Sequence, residues 1–256
     1  MSFFNKMLAS IGVGAAKVDT KLEKSSFVAG EVIRGEVEVY GGNVEQSIDA
    51  IYLTLYTTYI KEIDDHKVTA KAPIQKFRVS EPFTINVNET KIIPFSFTLP
   101  YDTPITVGKT EVWVATELDI RSGVDSDDKD YIEIRPSEIA SKILDEVQQL
   151  GFRLRKADCE QASYKYARNY PFLQEFEFVP TGGVFRGRLD ELELVFLSQT
   201  AQSAEILLQV DRKARGFGGF LAEALDVDET NIRMTITQQD LHNLNEVLKQ
   251  TIAKYA

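Results

Sequence analysis

The sequence predicts a mainly β protein of two consecutive β-sandwich domains with a few short helices. Apolar residues alternate with polar ones at period two in both halves of the chain, which sends successive side chains to opposite faces of a sheet. A single strong helical run separates the halves, and 256 residues exceed the usual size of one sandwich.

The opening segment carries Phe3, Phe4, Met7, Leu8 and Ile11 at helical intervals, an apolar face that needs something to cover it. This is the candidate interaction face. It lacks the strongly basic opening and unbroken apolar stretch of a signal peptide. Docking on its own domain or on another protein is expected, because the single Lys6 offers little attraction to anionic lipid. A peripheral membrane adaptor using this face is the alternative.

Strands follow. Ile33, Gly35, Val37 and Val39 share one parity and Arg34, Glu36 and Glu38 the other, before a turn at Gly41-Gly42-Asn43. Ile93, Phe95, Phe97 and Leu99 alternate with Pro94, Ser96 and Thr98, and Val112, Val114, Leu118 and Ile120 alternate with Glu117 and Asp119. The run Asp125-Ser-Asp-Asp-Lys-Asp130 reads as a solvated hairpin turn, since Asp and Ser favour turns.

After Pro136 the period changes. Ser137 suits a helix N-cap, Ile139, Ile143, Leu144, Val147 and Leu150 recur at helical spacing, and Gly151 is placed to end the helix. The boundary falls there: residues 1–136 form the N-terminal sandwich with its amphipathic lead, and residues 137–256 form a linker helix and the C-terminal sandwich. In the second half Phe176 and Phe178, Leu192, Leu194 and Phe196, Ile206, Leu208 and Val210, and Ile232, Met234 and Ile236 predict strands. Helices are expected near Phe217–Leu225 and from about Leu241, where Leu244, Val247, Leu248 and Ile252 form a stripe.

Charge narrows the function. The net charge of −10 divides as −6 over residues 1–136 and −4 over the rest, so nucleic acid meets net repulsion. The single Cys159 rules out an intrachain disulfide and fits a reducing, cytoplasmic setting. His66 and His242 lie far apart without cysteines at zinc spacing, and the acidic run lacks the glycine and distal glutamate of a calcium loop. Gly108-Lys109-Thr110 lacks the first glycine of a phosphate loop and leads into a strand, so it reads as a strand-entry turn. Arg212-Lys-Ala-Arg-Gly-Phe-Gly-Gly219 is the most basic short patch; an acidic partner or lipid headgroups would suit it, but it reads first as a glycine-rich turn with exposed cations, while Trp113 reads as core. No nucleophile, base and oxyanion donor come together, so catalytic, cofactor and metal sites are all expected to be absent. Protein partners are expected, with self-association left open and membrane association weak.

Phe27-Val-Ala-Gly-Glu-Val-Ile-Arg-Gly-Glu-Val-Glu-Val39 resembles an early strand pair of arrestin-like domains, with Ala29 where proline is common. Lys91-Ile-Ile-Pro-Phe-Ser-Phe-Thr-Leu-Pro100 and Glu111-Val-Trp-Val-Ala-Thr-Glu-Leu-Asp-Ile120 are similar to another such pair. With the opening Phe3-Phe4 to Asp19 and Gly219-Phe-Leu-Ala-Glu-Ala-Leu-Asp226, the whole chain resembles the bacterial sporulation-control family, the stage-zero M proteins. The resemblance implies two arrestin-like sandwiches and a non-catalytic regulatory role in endospore-forming bacteria. It carries over no catalytic residues.

Overall fold

The structure, a computed structural model, describes residues 14–121, 123–211 and 231–256. It is mainly β with large sheets and short helices, as the alternation predicts. The first half holds β1 (Lys17–Leu22), β2 (Ser26–Val28), β3 (Val32–Tyr40), β4 (Gln46–Ile63), β5 (His66–Arg78), β6 (Phe83–Ile85), β7 (Thr90–Thr98), β8 (Val112–Ile120) and β9 (Ser126–Arg135). The second holds α1 (Glu138–Gln149), β10 (Phe152–Gln161), β11 (Phe172–Pro180), β12 (Glu191–Gln199), β13 (Ser203–Asp211), β14 (Asn231–Thr237) and α2 (Leu244–Ala253).

Strands β1, β3 and β7 form a 3-stranded sheet that faces an 11-stranded sheet running β14-β13-β12-β11-β10-β4-β8-β9-β2, with β5 and β6 also on β4. The turn at Gly41–Asn43 does not close a hairpin. It carries the chain from one sheet to the other, since β3 pairs with β1 and β7 while β4 pairs with β5, β6 and β8. The alternating residues then meet across the layers: Ile33, Val37, Val39, Phe95 and Phe97 pack against Ile51, Leu53, Leu55, Val114 and Leu118.

In the second half, α1 and α2 join the core that covers the inner face of β10–β14 among the described residues. Ile139, Ile143 and Val147 of α1 and Leu244, Leu248 and Ile252 of α2 lie in one cluster with Phe176, Phe178, Leu192, Leu194, Ile206 and Leu208. Helix α1 starts where Ser137 Oγ accepts from Ala140 N at 3.3 Å. It ends at Gly151, whose φ of +97° is open to glycine and whose Cβ, if present, would run into the Gly182 carbonyl. Gly151→Ala is therefore expected to cost about 1–3 kcal/mol, read from the midpoint of urea unfolding; an unchanged midpoint would contradict the backbone argument.

Two expectations are corrected or left outside. The acidic run is not a hairpin turn: residues from Ser126 onward belong to β9, with Asp127, Asp128 and Asp130 opposite Glu117, Thr116 and Val114 of β8. Asp128 and Asp130 share the parity of buried Ile132 and Ile134, and Asp128 Oδ2 accepts from Thr20 N of β1 at 2.8 Å. A carboxylate at this point satisfies a β1 amide that β3 leaves free, which is why Asp occupies a strand here. The helix expected near Phe217–Leu225 and the basic patch Arg212–Gly219 lie outside the described residues.

Candidate functional site

The outward face of the first half is built by cross-strand register. Tyr56 of β4 stands opposite Trp113 of β8, which stands opposite Tyr131 of β9. Val112 and Val114 point into the core, so Trp113 points away from it. Its ring lies 5.6 Å from that of Tyr56, nearly parallel at 21°, and 6.0 Å from that of Tyr131.

Lysines roof this row. Lys71 Nζ sits 3.9 Å from the Tyr56 ring centre, Lys76 Nζ 4.1 Å from that of Tyr52, and Lys129 Nζ 4.1 Å from those of both Trp113 and Tyr131. Each such contact is worth about 0.5–1 kcal/mol at a surface. Trp113 is consequently only 4% exposed although it faces outward, whereas Tyr131 is 55% exposed. Trp113, expected in the core, is buried as expected but on the outward face of the sheet, outside the core cluster, under an aromatic and cationic cover.

The outward face of the second half is acidic. Lys156, Asp158 and Glu160 of β10, Glu175 and Glu177 of β11, and Glu193 of β12 share it by register, with Arg155 reaching Glu177 and Glu191. Lys156 Nζ contacts Asp158 at 3.2 Å, Glu160 at 2.9 Å and Glu177 at 3.2 Å. The cations are thus taken up by the rim. Glu175 Oε2 and Glu193 Oε2 are buried without a hydrogen-bond partner. Burial, and then the charge of Glu193, pushes the Glu175 carboxyl up to about 9; burial and then Glu191 push Glu193 up to about 8.

A seam joins the halves. Gln174 of β11 uses its amide as a strand would: Oε1 accepts from Ile105 N at 2.8 Å and Nε2 donates to Ile105 O at 2.7 Å. Asp102 Oδ1 accepts from Gln199 N at 2.6 Å, and Ile60 of β4 pairs with Glu160 of β10. Cys159 and Phe172 enter the first half's core, while Ile105 enters the second's.

Of the residues the sequence singled out, Phe3, Phe4, Met7, Leu8 and Ile11 lie outside the described residues. Gly108 has φ +66° in a turn before β8, as read, and Thr110 Oγ1 meets Gln174 Nε2 at 3.3 Å. His66 begins β5 and His242 sits in the 3₁₀ turn before α2, both exposed and on separate elements. Cys159 is buried, and that burial pushes its thiol up to about 12, far from a thiolate nucleophile. Sequence reading missed Tyr56, Tyr131, Lys71 and Lys129. Their outward parity was readable; their adjacency required the register.

Fold and surfaces together define a two-part β-sheet scaffold whose halves are clasped at a seam and whose outer sheet faces differ in charge. The family described as SpoOM protein, Spo0M, matches residues 4–214. The chain belongs to that family. It is 48% identical to the sporulation-control protein spo0M of Bacillus subtilis strain 168, over 100% of both chains. The crystal structure of Spo0M from Bacillus subtilis superposes with a TM-score of 0.88 at 46% identity, covering 95% of this chain and 100% of that one. No helix among the described residues is long and apolar enough to cross a membrane.

Proposed function

We propose that this chain is a non-catalytic regulator in the control of sporulation, acting in the cytoplasm by contact with another protein, with arrestin-like β layers as its frame. The regulatory half of the reading is supported by the name of the full-length relative. The contact half is carried by the exposed ring of Tyr131 and the exposed Lys71 and Lys129, held in place over the buried Trp113 and its neighbour Tyr56, because aromatic side chains give large contact area at low entropic cost and are enriched at interfaces. The seam supports a scaffold that presents this row in a fixed frame.

The test places this chain in a Bacillus subtilis strain lacking its relative. Wild type is expected to restore the spore count. The double variant Tyr131→Ala, Lys129→Ser is expected to leave the count at that of the deletion strain while its melting temperature falls by no more than about 8 °C, the size of the ring and cation contacts it removes. A variant that supports sporulation as wild type does would remove the row from the function.

A further inference from the structure

Sheet edges offer unpaired backbone groups to other chains, and proteins ordinarily block them with proline, lysine, an inward charge or short length. Most edges in this structure are blocked. Strand β7 carries Pro94 and Lys91, β5 carries Pro73 with Lys67, Lys71 and Lys76, and β2 and β6 are 3 residues each. The amide of Thr20 on β1 is taken by Asp128.

Strand β14 is blocked only at its last residue, where Asp240 Oδ2 accepts from Thr237 N at 2.8 Å; from Asn231 to Ile236 it has none of these devices. Its 7 residues, Asn231 to Thr237, contain no proline, and its register with β13 runs from Asn231 to Thr237 without a bulge. Its one charge, Arg233, is held by Glu205 of β13. Among the described residues nothing pairs with its far edge. Ile232 and Met234 point toward the core side yet are only half-buried, whereas Ile236 is 1% exposed. Another strand laid against β14 would complete their cover.

The sequence of β14 fits itself. In an antiparallel pairing centred on Met234, Ile232 meets Ile236 of the second copy and Met234 meets Met234, all on the apolar face. On the other face Arg233 meets Thr235, so no like charges stand opposite each other. The arrangement is a two-fold, self-complementary contact of the kind most homodimers use.

We propose that β14 is an interaction edge that pairs antiparallel with β14 of a second copy, joining two large sheets into one. This does not depend on the aromatic row or on sporulation. The contact is small, so association is expected in the range of tens to hundreds of micromolar.

Sedimentation of the purified full chain over a concentration series tests it. Wild type is expected to pass from monomer to dimer as concentration rises. Thr235→Lys sets a cation opposite Arg233 of the second copy, twice per dimer, and is expected to raise the dissociation constant about five-fold or more. Thr235→Glu sets a carboxylate there and is expected to lower it. Within one chain the signs reverse: Thr235 also faces Glu205 of β13, so the Lys variant keeps or gains monomer stability and the Glu variant loses some. Unfolding measured at low concentration therefore separates a fold effect from a contact effect. A wild type that stays monomeric into the millimolar range, or Lys and Glu variants that associate alike, would overturn the proposal.

Discussion

Raising the pH from about 6 to about 9 is expected to lower the stability of this protein, and Glu175→Gln is expected to remove most of that loss. The Glu175 carboxyl takes up a proton on folding, because its folded pKa of about 9 stands above the ordinary value of 4.5. A folded state that binds more protons than the unfolded one loses stability as pH rises. The loss begins above the unfolded value and is complete only above about 9. Over the stated interval one such group changes stability by on the order of 4 kcal/mol.

Burial sets the sign, and the neighbouring charges add to it. Glu193, Glu160 and Glu177 repel a charge on Glu175, and only Lys156 opposes them. Glu193, raised to about 8, works in the same direction, so a residual slope is expected in the single variant. Gln is neutral and close in shape, hence the variant should match wild type near pH 6 and exceed it near pH 9. Guanidinium unfolding at several pH values decides the matter. A wild-type stability that holds level or rises over this range would refute the account of the acidic face.

The other large effect is expected at the seam. Gln174→Leu keeps a side chain of similar volume but leaves the N–H and C=O of Ile105 without the partners that now lie at 2.8 and 2.7 Å. The C=O keeps a bond from Val107 N at 2.9 Å, so the stranded group is the N–H, and a loss of about 1–3 kcal/mol is expected. Because Ile105 packs in the second half's core while the strands on either side of it in the chain, β7 and β8, belong to the first, loss of the clip should also loosen the 102–110 connection. Limited proteolysis ought to show earlier cleavage there than in wild type. If unfolding midpoint and cleavage pattern both stay as in wild type, the two-bond clip is not what clasps the halves.

Most of the frame was legible before the structure. The parity of Ile33, Val37 and Val39, of Phe95, Phe97 and Leu99, and of Leu192, Leu194 and Phe196 assigned the buried face of each strand. Ser137 and Gly151 delimited α1. The run from Asp125 to Asp130 misled because Asp favours turns locally, whereas here a β1 amide across the sandwich needed an acceptor.

The candidate surfaces were legible only in part. Tyr56 and Trp113 are far apart in the chain, as are Glu175 and Glu193, and nothing local says that they are neighbours. What the sequence determined by itself is the direction of each side chain relative to its own strand or helix, because backbone geometry repeats every 2 residues in one and about 3.6 in the other. What only the tertiary structure decided is which strand lies beside which, and in what register. That choice is made by burying Ile51, Leu53, Val114 and their partners in the same space, a sum over many distant residues rather than a property of any segment. The aromatic row, the unpartnered carboxyls, the Gln174 clip and the open edge of β14 are all consequences of that register.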